Sequence, residues 1–153
     1  MSRLELRIPP DVVWVAVAFL MWLVSGRTPH LAIPSALRIG ATVALTVAGV
    51  AILASARASL TAANTTWHPT TPGQTTSLVT TGVFGASRNP VYLGMLLVML
   101  GFGVALSSPG AFLTSVLFVL YLDRFQIAPE ERALTDKLGQ EYLDYRARVR
   151  RWI

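Results

Sequence analysis

Two short groups of polar residues carry the chemistry this chain could offer, and both stand against apolar runs. In Arg88-Asn89-Pro90 the proline suits the first turn of a helix. The segment therefore predicts a helix start whose open backbone N–H groups and neighbouring guanidinium attract an anion such as a ligand carboxylate. The same residues also suit a capping asparagine and an arginine that reaches up to a membrane interface. The second group is Asp123-Arg124, expected to end a helix, followed by Glu130-Glu131. Charges so close to an apolar run are often interface anchors, but an arginine and several carboxylates facing a polar loop could also clamp a zwitterionic ligand. Other chemistry is thinly provided for. The chain has no cysteine, hence no thiolate nucleophile or cysteine-bound metal, and His30 and His68 cannot build a metal centre alone.

The elements that must position these groups are strongly apolar. Of 153 residues, 53% are hydrophobic and 14% charged, with a mean hydropathy of +0.53, which is too apolar for a soluble domain of this size. The fold class expected is all-α: an integral membrane helical bundle of about four transmembrane helices with a C-terminal amphipathic interfacial helix. Residues 12–25, preceded by Arg3 and Arg7, read as a retained anchor, since no convincing small-residue cleavage site follows. That run is shorter than the roughly 20 residues a span needs, so it takes in Ile8 to Asp11 or sits in a thin, tilted arrangement. Residues 33–56 are long enough to span, and Gly40 and Gly49 allow a neighbouring helix to come close.

Residues 57–89 change character. Thr65, Thr66, Pro69, Thr70, Thr71, Pro72 and Gly73 predict a long loop, and the apolar anchors between Leu78 and Phe84 mark it as functional rather than a mere linker. From Tyr92 to Leu122 the apolar stretch exceeds one span, and Ser107-Ser108-Pro109-Gly110 folds it into a helical hairpin. Beyond Pro129, the recurrence of Leu134, Leu138, Tyr142, Tyr145 and Val149 predicts one amphipathic helix lying on the membrane surface. Tyr142 and Tyr145 then read as headgroup-level anchors, as do Trp14, Trp22, Trp67 and Trp152, and His68 as a loop-bonding residue. The expected organisation is a single membrane domain over 1–153: two N-terminal spans (1–56), a loop (57–89), a hairpin (90–127) and a C-terminal helix (128–153).

Charge completes the picture. The net charge is +5, and seven of the thirteen Lys and Arg residues fall between Arg124 and Arg151, outside the apolar runs, which favours anionic membrane lipids over nucleic acid as the partner. Four spans put both termini on one side. With that side cytoplasmic, eleven basic residues lie inside against Arg27 and Arg38 outside, the bias that cell-membrane proteins show. The loop and the basic tail then share the cytoplasmic face, within reach of soluble ligands.

The string from Leu78 through Thr80-Thr81-Gly82-Val83-Phe84 to Arg88-Asn89-Pro90-Val91-Tyr92-Leu93-Gly94, then a hairpin, then Glu130-Glu131-Arg132 and Leu138-Gly139-Gln140-Glu141-Tyr142-Leu143-Asp144-Tyr145, resembles the isoprenylcysteine carboxyl methyltransferase family and its bacterial, phospholipid methyltransferase-like relatives. The resemblance covers roughly residues 64–153. It implies a membrane enzyme that moves a methyl group from S-adenosyl-L-methionine, held on the cytosolic side, to a lipophilic or small acceptor, with no metal. Carried over by motif, it implies cofactor contacts at Thr76, Ser77, Leu78, Val79, Phe84, Asn89, Pro90, Val91, Tyr92 and Glu130, with Arg88 beside them. Arg124 resembles the basic residue that faces the substrate, and Glu131 joins it as the second catalytic candidate. Asn89 stands where eukaryotic members have histidine, and Gln126 where they have a substrate-side arginine, which weakens the case for a prenylcysteine carboxylate acceptor.

Several acceptors fit such a site. A carboxylate needs no base, an amine must lose a proton, for which Glu130 or Glu131 is nearest, and a thiol must arrive as thiolate, a form Arg124 would favour. Two other classes are a non-catalytic membrane scaffold, which would have no need of the charged cluster, and an NADPH-dependent reductase, which would need more basic residues in the loop than Arg57 and Arg88.

Overall fold

The computed structural model describes residues 5–63 and 77–153. Helix α1, Pro10–Ser25, opens on a proline at its first turn and is extended from the expected start by Pro10 and Asp11. Its 16 residues rise about 24 Å. Helix α2, Ser35–Ala62, runs 28 residues, six past the apolar stretch, because Arg57 to Ala62 contain neither glycine nor proline to stop it. Helices α3, Pro90–Leu106, and α4, Pro109–Tyr121, form the expected hairpin. Its corner has Ser107 in the left-handed region (φ 52°), and the Ser108 hydroxyl caps α4 by accepting from the Ala111 N–H at 3.2 Å.

The end of α4 departs from expectation. Asp123 and Arg124 do not terminate it; the helix widens into a π segment, Leu122–Ile127, and continues as α5, Ala128–Leu138. Pro129 does not break it, because a proline in the first turn of α5 fits where the π segment has already displaced the hydrogen-bond ladder. The single amphipathic C-terminal helix is likewise corrected to two short ones. Gly139 takes φ +56°, and α6, Gln140–Arg148, turns off there.

Packing places α3 at the centre, with α2 on one side and the α1–α4 pair on the other. The α2–α3 seam is set by glycine. A Cβ on Gly49 would stand 2.6 Å from the Gly94 carbonyl, and one on Gly94 would meet Leu53 at 2.7 Å. Across the bundle, Val17 and Met21 of α1 pack with Met99 of α3 and Ala111 and Phe118 of α4. The Trp14 indole N–H donates to the Met95 carbonyl at 2.9 Å, so this tryptophan pins α1 to α3 rather than serving only as a belt residue. Trp67 and His68 lie outside the described residues.

All regular structure among the described residues is helical. Two helices, Ser35–Ala62 and the continuous Pro109–Leu138, are long and apolar enough to cross a membrane, while Pro10–Ser25 and Pro90–Leu106 are shorter apolar helices. The outer faces carry exposed Val15 and Phe19 on α1, Ile39, Val43 and Val47 on α2, and Leu113 and Leu120 on α4. An apolar belt of this extent needs a nonaqueous surrounding. No exposed large hydrophobic comes from α3.

Close approach at the α2–α3 seam has a direct test. Gly49→Ala must push the helices apart, costing about 1–3 kcal/mol. Gly40→Ala, whose Cβ meets nothing within 4 Å, gains about 0.5–1 kcal/mol from helix propensity. Thermal unfolding in detergent should lower Tm for the first and leave or raise it for the second.

Candidate active site

The hairpin and the π segment bring the two polar groups of the sequence together. Pro90 starts α3 and puts Tyr92 in its first turn, buried at 5% exposure. Its hydroxyl donates to both oxygens of Glu130, at 3.0 and 3.2 Å. The Gln126 amide N–H, one turn back and fully buried, reaches the same carboxylate at 3.4 Å. Glu130 lies beyond the apolar stretch of its helix, and its enclosure by protein pushes its pKa up to about 8, with the neighbouring Glu131 charge adding to the rise and the Tyr92 and Gln126 hydrogen bonds opposing it. Both of these hydrogen-bond donors are neutral. This carboxylate is therefore oriented but carries no counter-cation among those partners.

Glu131, the next residue on α5, faces a different set. Arg88 Nη2 donates to its Oε1 at 2.7 Å, Arg151 Nη2 to its Oε2 at 2.6 Å and Arg151 Nε to Oε1 at 3.2 Å. Arg88 Nη1 also donates to the carbonyls of Arg146 and Val149, at 3.0 and 3.1 Å. Both side chains of the Arg88–Glu131 pair are about nine-tenths buried, with exposures of 9% and 10%. Arg88, expected at the cofactor, and Glu131, expected as a catalytic carboxylate, thus share one ion pair. Arg151 supplies the other two bonds to Glu131, and the tail carbonyls are the other two acceptors of Arg88. Arg151 continues the chain of charges to Asp123 at 3.5 Å, and Asp123 accepts from the Trp152 indole at 3.2 Å.

The C-terminal residues complete the brace. The Arg88 N–H donates to the Arg150 carbonyl and the Asn89 side-chain amide to the Arg151 carbonyl, both at 3.0 Å. Asn89 therefore holds the tail rather than capping α3. Tyr142 and Tyr145 are not headgroup anchors: they are 2% and 3% exposed, and the Tyr145 hydroxyl donates to the Phe84 carbonyl at 2.7 Å. Burial pushes both phenols up to about 12. Phe84 sits in a 3₁₀ turn, Gly82–Gly85, where Gly82 supplies the φ of +61° that a side chain would resist.

Ser77, Leu78 and Val79 lead into that turn half-buried, and the Ser77 hydroxyl donates to the Ala63 carbonyl at 3.1 Å, beyond the end of α2. Thr76 lies outside the described residues. Pro90 is buried and Val91 packs on the core cluster. An apolar cavity of about 160 Å³ opens beside this region, lined by Ile52, Val83, Ser87, Pro90, Leu93 and Trp152 among others. Arg124 joins neither carboxylate group. It is 60% exposed by side chain and pairs with Glu5 at 3.3 Å. Among the described residues no group of three or more His, Asp or Glu could hold a metal ion.

Sequence reasoning did not foresee the buried Gln126, the Asp123–Trp152 contact or the Glu5 pairing. The four-residue spacing of Gln126 and Glu130 on one helix was a usable signal for the first. The other two depend on contacts 29 and 119 residues apart, for which the local pattern holds no trace.

The phospholipid methyltransferase family model matches residues 37–141. An uncharacterized protein of Haemophilus influenzae is 41% identical over 63 residues, 41% of this chain and all of that protein. The protein-S-isoprenylcysteine O-methyltransferases of Mus musculus and Rattus norvegicus are each 37% identical over 75 residues, 49% of this chain. The matched stretch spans only 26% of either mammalian protein. No solved structure matches.

The brace sets an order of stability losses. Glu131→Ala leaves the buried Arg88 guanidinium without its ion and costs about 3–5 kcal/mol. Arg88→Ala leaves Glu131 still paired with Arg151 and costs about 1–3 kcal/mol. Denaturant unfolding in detergent should rank the two in that order, and equal losses would contradict the geometry.

Proposed function

We propose, since the chain belongs to the phospholipid methyltransferase family, that it is a multi-pass membrane methyltransferase that uses S-adenosyl-L-methionine and acts on a lipophilic or small acceptor at the cytoplasmic face. The observation that carries this reading is the Glu130 carboxylate, held by Tyr92 and Gln126 with no cation among those donors. Such a group suits a ligand that brings its own positive charge. When bound, S-adenosyl-L-methionine supplies an electrophilic methyl on a sulfonium, along with an ammonium and a carboxylate.

In this reading Glu130 receives positive charge, and Tyr92 and Gln126 fix its orientation. The start of α3 offers backbone at Asn89, Pro90, Val91 and Tyr92, while Ser77, Leu78, Val79 and Phe84 form the wall on the loop side. Arg88 and Glu131 act as positioning residues: their buried pair holds the α3 start against α5 and the tail. The protein's task in methyl transfer is to align two reactants and exclude water, and no covalent nucleophile is required. Four spans with both termini in the cytoplasm, read from the basic-residue bias, put these groups on the side where soluble cofactor is found.

For the acceptor, an isoprenylcysteine-like carboxylate is the type named by the mammalian relatives. A phospholipid amine is the second reading, and a specific observation favours it. Gln126 adds only a neutral amide beside Glu130, so an anionic acceptor would meet an anion there with no cation from Gln126 to offset it, whereas an amine meets no such repulsion. A thiol fits neither observation better.

Calorimetric titration checks the reading. S-adenosyl-L-methionine should bind, and Glu130→Gln and Tyr92→Phe should each weaken it by about tenfold or more, the loss of a hydrogen bond to a charged group. Affinity should also climb with pH as Glu130 ionises, by up to about tenfold per unit below 8, and level off above it. S-adenosylhomocysteine, which lacks the sulfonium charge, should follow pH less steeply, and Glu130→Gln should abolish the trend. In the empty protein the sign reverses for folding. A carboxyl with its pKa raised from 4.5 contributes most stability below that value and loses it as pH rises through about 8. Absence of binding in a well-folded sample would sink the methyltransferase reading.

A further inference from the structure

The N-terminal segment touches the widened helix at three points, and these bracket the residues that meet Tyr92. Arg132 Nη2 donates to Glu5 Oε2 at 2.8 Å and Arg124 Nη1 to Glu5 Oε1 at 3.3 Å. The third contact joins backbone to backbone, the Leu6 N–H donating to the Phe125 carbonyl at 3.1 Å. Gln126 and Glu130 lie in the stretch between Arg124 and Arg132. The Glu5 side chain is 4% exposed, beneath two arginines that are each more than half exposed.

Each contact answers a local feature of that helix. Pro129 has no N–H, so the Phe125 carbonyl, four residues before it, lacks its ordinary α-helical donor, and the Leu6 N–H supplies one. Reaching it puts Leu6 at φ 57°, a left-handed backbone that disfavours residues with a side chain. A segment lying loosely on the surface would have no cause to hold that conformation. The Arg124 guanidinium also lies 5.7 Å from the Phe125 ring centroid, which restrains it further.

The spacing of the two arginines ties this strap to the helix register. In a regular α-helix, residues eight apart point about 80° away from each other around the axis. The π segment, Leu122–Ile127, advances less per residue, which narrows that offset and lets a single carboxylate bridge both arginines. The same widening turns Gln126 and Glu130 inward to Tyr92. Bridging by Glu5 and the inward aim of Glu130 thus require one and the same register. We infer that Glu5 is a positioning residue for the Glu130 site: by bridging Arg124 and Arg132 across the π segment, it locks the register that aims Glu130 and Gln126 at Tyr92. This inference rests on the reading of Glu130 as the group that receives a ligand's charge. Glu5 acts on that ligand only through the helix.

The test has two arms, both on the full chain in neutral detergent. In the ligand-free protein, amide hydrogen exchange at residues 122–131 should speed up by about tenfold in Glu5→Gln, the size of one contact between charged groups. Leu6→Pro, which removes the N–H and cannot take a positive φ, should do the same. Leu6→Gly, which keeps the N–H and accepts φ 57°, should exchange no faster than wild type. In the second arm, calorimetry with S-adenosyl-L-methionine should show Glu5→Gln weakening binding several-fold on its own yet adding nothing to Glu130→Gln, because both act through one carboxylate. A general loss of structure would instead lower affinity in both backgrounds. Wild-type exchange in Glu5→Gln, or additive losses in the double variant, would overturn the lock. The exchange arm uses no ligand, so absence of binding by the wild type would sink the methyltransferase reading and leave the exchange rates to decide the lock.

Discussion

Two adjacent carboxylates, Glu130 and Glu131, must both be accommodated in a poorly hydrated corner, and the architecture around them follows from how each is met. Neighbours on a helix point about 100° apart, so one set of partners cannot serve both. Glu131 takes two guanidinium groups, which draws in the start of α3 through Arg88 and the C-terminal tail through Arg151. Glu130 takes neutral donors from Tyr92 and Gln126 and keeps its electrostatic demand open. One carboxylate builds the corner, and the other is the one proposed to receive a ligand's charge. The distinction lies in the partners, since the residues themselves are identical.

The π segment makes this division possible. Widening the helix over Leu122–Ile127 shifts its face relative to α4, so that Gln126 and Glu130 turn inward toward Tyr92 while Asp123 reaches Trp152 and Arg124 stays outside with Glu5. π segments often mark functional positions because the displaced ladder is a local cost that packing elsewhere must offset. The fully buried Leu122 and Ile127 bracket the segment, and they supply that packing.

The hairpin and its corner were legible in the sequence because Ser108-Pro109 and the proline at position 90 act locally. That the charged residues form a cluster was also legible, but the pairing of Arg88 with Glu131 was not, and Arg124 stands apart with Glu5. Nor was the division within it: sequence treats Glu130 and Glu131 as equals, and the rotation set by the π segment decides which of them faces Tyr92 and which faces the arginines. Tyr142 and Tyr145 misled for a related reason. Their spacing correctly marked one apolar face, but amphipathic periodicity does not say whether that face meets lipid or protein. Gly139, which turns α6 back onto the Phe84 turn, decided the matter.

If the α3 start and the Glu130 turn form one cofactor site, S-adenosylhomocysteine slows amide hydrogen exchange in two separated stretches together, residues 84–93 and 126–131, with little change in α1. Protection confined to one stretch, or appearing only elsewhere, would contradict it.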